Sequence, residues 1–243
     1  MRALRAPAAF NGERFMPGGA TVIVEDGVIK GVESVGYEVP ADCPLATFDG
    51  TMLPGLFDAH VHLVSDPALG GLERAGSIDA DVVDDIIEQS LRQQAASGVT
   101  TVRDLGDVGY RTLAFRDSAR AGLPRIKAAG PPLTVPDGHC HYLGGVVEGP
   151  DAIRSAVREH ERRGVDVIKV MASGGMTTVG TDPFGVQFDA ADLWTLVDAA
   201  HAVGLPVVAH AHSLAGIRHA LAAGGRAAAG RHSVLPQQAT PAL

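Results

Sequence analysis

The sequence is poor in several features that would each have pointed to a class of protein. Only two cysteines, Cys43 and Cys140, occur in 243 residues. They are far apart, so no disulfide framework and no CxxC metal knuckle is available, and the pair is compatible with a reducing compartment. There is no run of Lys and Arg, and the formal net charge is −8, so the electrostatic footprint expected for nucleic acid or anionic lipid is missing. No segment is long and uncharged enough to cross a bilayer. The basic start, MRALRAPAAFNGERF, is interrupted by Pro7, Asn11 and Gly12 before an apolar signal-peptide core could develop. A cytoplasmic location is the default, with no nucleic acid and no membrane as partner. No GxGxxG phosphate turn follows the first long apolar strand, which argues against a dinucleotide fold.

What the chain does have is a folding composition, 46% hydrophobic and 20% charged, and one informative stretch, TMLPGLFDAHVHL from Thr51 to Leu63. Strand side chains alternate faces, so Asp58, His60 and His62 are expected on one side. Two neutral imidazoles there can grip one metal ion, with a carboxylate behind to orient a ring. Upstream, TVIVE and VIKGVESV joined across Asp26-Gly27 predict a hairpin. Residues 1–54 therefore read as a small β module, with a boundary near Gly55.

Downstream the pattern changes to strands alternating with helices. Asp79 to Ala96 predicts a helix with Val82, Val83, Ile86, Ile87 and Leu91 as its apolar stripe. GVTTVRDLG, RIKAAG, VDVIKVM and PVVAHAH read as further strands. Helices are expected through Tyr110 and Leu113 to Arg120, from Gly149 to Gly164, and from Asp189, an N-cap, to Val203. After Ser213 comes a last helix, SLAGIRHALAAG. This alternation predicts α/β architecture: a partial (β/α)8 TIM-type barrel of about five βα units over residues 55–224, preceded by the β module. In such barrels the active-site groups sit at the C-terminal strand ends, which is where His60, His62, Arg103, Asp104, Lys169, His210 and His212 fall. Residues 225–243 carry no strand pattern and are expected to be irregular.

With PGLFDAHVHL, GVTTVRDLGD, GHCHYLGG, VDVIKVMASGGM and VVAHAHS in this order, the chain resembles the amidohydrolase superfamily. It is most similar to the imidazolonepropionase-like and Xaa-Pro dipeptidase-like metal-dependent hydrolases, over about residues 20–224. The resemblance implies metal ligation by His60, His62, His210 and a carboxylated Lys169, since a carboxylated amine offers anionic oxygens where an ammonium repels cations. The expected cofactor is a divalent metal, Zn2+, two ions in the complete family site. His210 matches the family ligand, and His212 is its alternative one pleat further out. His139 matches a GH element beside the substrate and is the expected substrate contact. His141 is expected to be exposed, His160, His201 and His219 to be surface or packing residues, and Thr181-Asp182-Pro183 to have no catalytic role.

The implied function is metal-dependent hydrolysis of a carbon–nitrogen bond in a small molecule such as an N-acyl amino acid or dipeptide. The family's sixth-strand histidine and eighth-strand aspartate, the general base, have no visible counterpart, and His232 stands in a setting unlike a buried strand. No catalytic residue is therefore assigned. The chain is expected to be a shortened barrel of low activity, with possible self-association through unpaired strand edges. The alternatives are a non-catalytic metal-binding fragment and a mononuclear deaminase, the latter opposed by Lys169 and by HAHS lacking a carboxylate after its first histidine.

Overall fold

The computed structural model describes residues 1–118 and 120–224 together with the short strand Arg226–Ala227. His232 and most of the stretch 225–243 lie outside the described residues. The chain divides into two compact units, residues 1–56 and 57–243.

In the first unit, β1 (Arg2–Ala6), β2 (Ala8–Phe10) and β3 (Phe15–Met16) precede the expected hairpin of β4 (Ala20–Glu25) and β5 (Val28–Ser34). β6 (Leu45–Thr47) and β7 (Thr51–Met52) follow. One sheet has the order β5-β4-β1-β6 and the other β3-β2-β7. The hairpin turns through Asp26 and Gly27, both with positive φ (52° and 75°), the geometry that makes Asp-Gly a hairpin signal. The three N-terminal strands carry no such signal. In β1, RALRA holds no β-branched residue, and its strand state comes from pairing with β4 on one side and β6 on the other.

The second unit opens with β8 (Leu56–Val61), α1 (Gly71–Ala75), α2 (Ala80–Ala96) and β9 (Val99–Asp104). It continues with α3 (Arg111–Asp117), β10 (Arg125–Ala128), a 3-10 turn at His141–Leu143, and α4 (Gly149–Arg163). β11 (Ile168–Met171), α5 (Ala190–Ala202), β12 (Val207–His210), α6 (Leu214–Ala222) and β13 (Arg226–Ala227) complete it. Along α2, Val83, Ile87 and Leu91 are buried, one every fourth residue. Val82, expected in the same stripe, is instead 48% exposed, because the buried stripe is only as wide as one i, i+4 row. Asp189 caps α5 by accepting from Asp192 N at 2.8 Å. Each fully buried Leu or Ile of this helical layer contributes roughly 1.5–3 kcal/mol.

The strands form two three-stranded sheets, β10-β9-β8 and β11-β12-β13. β9 and β10 are parallel, as are β11 with β12 and β12 with β13. Between the sheets, Leu133 bridges to Val170 in parallel fashion, donating to Lys169 O and accepting from Met171 N. The architecture is mixed α/β, and among the described residues there is no closed barrel. β13 lies where irregular chain was expected. Arg226–Ala227 has no local strand preference, and its pairing with Val208 and Ala209 is a tertiary effect. No described helix is long and apolar enough to cross a membrane.

Candidate active site

β8 delivers His60 and, one residue past its end, His62; their rings lie edge to face with centroids 5.5 Å apart. Asp58 accepts from His60 N at 3.2 Å and from Gln94 Nε2 at 3.3 Å, so its carboxylate fixes the strand and the facing helix α2. His62 Nδ1 stands 2.9 Å from Gly106 O. A carbonyl oxygen only accepts, so Nδ1 carries the proton and the Nε2 lone pair is free.

The β11–β12 register sets Lys169 beside Val208, so His210, two residues further on, projects from the same face as Lys169. His210 lies 4.6 Å from His212 and 4.6 Å from His139, ring centre to ring centre. His139 comes from the loop after β10 and is buried, with Nδ1 2.8 Å from Thr178 Oγ1. Its backbone N–H donates to Gln187 Oε1 at 2.7 Å, and Gln187 in turn donates to Thr134 Oγ1 and Met171 O. Gly175 makes room for the His139 ring: a Cβ there would fall 2.3–2.5 Å from three ring atoms.

Lys169 is the most unusual residue of the group. It is 1% exposed, and Nζ has no hydrogen-bond partner among the described residues. Burial brings its pKa down to about 8, with the charge of Arg103 adding to the effect and Cys140 opposing it. Burial likewise lowers His60, His62 and His139 to about 4 and His210 to about 3, and the charge of Lys169 pushes each of the four in the same direction. At neutral pH all four imidazoles are neutral, the form that ligates metal.

This donor set fits a divalent cation in two respects. The imidazoles are neutral, three of them (His62, His139 and His210) with one ring nitrogen held by a neighbouring oxygen, and a buried amine with no hydrogen-bond partner among the described residues acts on all four. Among the described residues no three His, Cys, Asp or Glu side chains form a ready-made cage. The remaining member of the group is Lys169, whose charge acts on all four imidazoles.

The residues singled out in the sequence as His60, His62, Lys169, His210 and His139 thus come together. His141 is half-buried rather than exposed, because its Nδ1 turns back to Gly138 O at 2.9 Å. His160 is a packing residue, 2% exposed and held by Tyr110 OH and Pro131 O. Thr178, Gln187 and Gly175 were not legible beforehand, since their roles exist only through contacts 36 to 48 residues away in the chain.

The imidazole titrations predict an acid-labile fold. Unfolded histidines take up protons near pH 6.5 and these folded ones near 4 or 3. Their contribution to stability is therefore present above about 6.5 and is lost as pH falls toward 4. Asp104 and Asp107, raised by burial, run the opposite way and gain as pH falls. A His139→Asn, His210→Asn variant should thus lose stability less steeply between pH 6.5 and 4. The difference in slope is up to about 2.7 kcal/mol per pH unit, two protons at ~1.4 each. Urea midpoints across that range check it, and identical slopes would refute it.

The described fold is thus one of parallel strand–helix units that carry histidines and a buried lysine at or near their strand ends. Residues 51–235 match the amidohydrolase family, and the chain belongs to it. It is 28% identical to ochratoxinase of Aspergillus niger over 240 residues, covering 84% of this chain and 49% of that protein. Among solved structures, an Xaa-Pro dipeptidase with bound methionine in its active site superimposes with a TM-score of 0.81 at 26% identity. The match covers 92% of this chain and 60% of that one. A prolidase complexed with N-methylphosphonate-L-proline gives a TM-score of 0.82 at 25% identity, with 93% and 59% covered. The chain spans about half the length of the curated relatives it matches.

Proposed function

We propose that this chain builds the metal site of a hydrolase that cleaves a carbon–nitrogen bond in a small molecule, an N-acyl amino acid or a dipeptide. The observation that carries the reading is a cluster of four neutral imidazoles, each acted on by the charge of Lys169, whose buried Nζ has no hydrogen-bond partner among the described residues. The strand–helix units are read as part of a (β/α)8 barrel, whose strand ends hold the site. His60, His62 and His210 would hold divalent metal, Zn2+ by donor type, together with Lys169 once its amine is carboxylated. With a pKa of about 8, roughly a tenth of the amine is neutral at pH 7 and able to attack CO2. Bound metal supplies Lewis acidity and lowers the pKa of a water to near ~7.

The chain's own residues do the rest. His62 keeps its free nitrogen aimed through the bond to Gly106, Gln187 holds the His139 backbone, and His139 faces the substrate. A cavity of about 610 Å3 lies along the loop after β8, lined by Ser65, Leu69, Leu72, Glu73, Tyr142 and Met176 among others. Its size suits a dipeptide-sized ligand. Tyr142 and Thr178, whose hydroxyls stand 3.5 Å apart, link its wall to His139.

The test is amine release from N-acyl amino acids and Xaa-Pro dipeptides by zinc-loaded protein. We expect metal-dependent turnover that Lys169→Ala abolishes. Equal rates in wild type and variant would overturn the assignment.

A further inference from the structure

We propose that Asp104 is a positioning residue whose buried carboxylate clamps the chain on both sides of His62 and thereby fixes which imidazole nitrogen faces the site. Asp104 ends β9 and is fully buried. Its Oδ2 accepts from Leu63 N at 2.7 Å, and its Oδ1 accepts from Gly106 N at 3.0 Å. Leu63 is the residue after His62, and Gly106 is the residue whose carbonyl meets His62 Nδ1 at 2.9 Å. The three hydrogen bonds close a ring through His62, Leu63, Asp104 and Gly106. A fourth, Leu105 N to Val61 O at 3.0 Å, ties the two strand ends just beneath it.

The ring determines a chemical outcome. With both oxygens of Asp104 engaged, one per N–H, the peptide that ends at Gly106 N is held, and the backbone N–H of Asp107, donating to Gly130 O at 3.2 Å, holds the next peptide, whose carbonyl meets Nδ1. Nε2 is left as the lone-pair nitrogen. The neighbouring Asp107 does not share this task, since its Oδ2 accepts from Thr112 N and Thr112 Oγ1 at 2.8 and 2.6 Å. The absence of a side chain at 106 is part of the device, because a Cβ there would lie 3.0 Å from His62 Cε1 and 3.1 Å from Nδ1. A buried carboxylate is a costly core residue, and the N–H groups of Leu63 and Gly106 oppose the upward push on its pKa from burial and Asp107. An apolar residue would pack at less cost but would leave two buried N–H groups without acceptors.

The functional consequence rests on reading His62 as a metal ligand, whereas the tautomer does not. The experiment is therefore done first on the metal-free full-length chain, by imidazole 15N spectra at pH 7, with the His62 signal identified by its loss in His62→Gln. In wild type His62 is expected as the Nδ1–H tautomer. Asp104→Asn can accept only one of the two N–H groups, and Gly106→Ala displaces the ring while leaving the carboxylate intact. Both should move His62 toward the Nε2–H form, and each should weaken zinc binding about 10- to 100-fold, as loss of a ligand-orienting hydrogen bond does. Should Asp104→Asn not fold, Gly106→Ala carries the test alone. A wild-type Nε2–H tautomer, or an Nδ1–H tautomer that persists in the variants while only melting temperature falls, would overturn the proposal. Tautomer shifts of the expected kind without any zinc binding in wild type would instead refute the metal-site reading and leave the clamp standing.

Discussion

Replacing Lys169 by methionine should raise the melting temperature of the metal-free chain by about 5 to 10 °C at pH 7. The folded protein holds an amine with a pKa of about 8 where the free side chain has 10.5. That difference corresponds to about 3 kcal/mol of destabilisation at pH 7. Removing an uncompensated buried charge in favour of an apolar side chain of similar length recovers energy of this order. For a chain of this size each kcal/mol moves the melting point by roughly 2–4 °C. The sign can be checked independently. A lowered lysine pKa gives a contribution that is present above pH 10.5 and lost as pH falls through 8. The gain from Lys169→Met should accordingly shrink when the comparison is repeated near pH 10. Melting curves in bicarbonate-free, chelated buffer at the two pH values decide the matter; a variant less stable than wild type at pH 7 would mean that Nζ has a partner in solution. The stabilised variant should at the same time lose the capacity to gain a carboxyl group.

Removing His62 and His210 together is expected to abolish zinc binding. Each is a neutral imidazole with one nitrogen held by a backbone carbonyl, Gly106 O at 2.9 Å and Gly174 O at 3.1 Å. Changing a group that merely orients a ligand costs ~10- to 100-fold in metal affinity, so loss of two side chains proposed here as ligands should exceed that range. Elemental analysis and zinc titration of His62→Ala, His210→Ala against wild type measure it. Equal zinc content in the two would place the metal elsewhere.

Where local chemistry acts on its own, the sequence is readable. The Asp26-Gly27 turn, the i, i+4 stripe of α2 and the Asp189 cap each follow from residues within a few positions of one another. The same holds for the pairing of His60 with His62, which needs only the two-residue period of a strand. Lys169 is conspicuous for the same reason, as a charge inside VIKVM. By contrast, β1 and β13 have no local signal, because their residues become strand only by bonding to chain that is distant in sequence or already ordered.

The sequence by itself determined the alternation of strand and helix in residues 57–224 and the identity of the side chains at the strand ends, because both are properties of short windows. Only the tertiary structure decided that His60, His62, His139 and His210 share one environment with Lys169, since these five residues stand on four segments up to 150 residues apart. It also decided that Lys169 Nζ has no hydrogen-bond partner among the described residues, that a Cβ at Gly175 would collide with the His139 ring, and that Asp104 accepts from the backbone N–H groups of Leu63 and Gly106. Partnership and burial are relations between distant parts of a chain. Parallel strand pairing, with its long crossovers, is what brings those parts together.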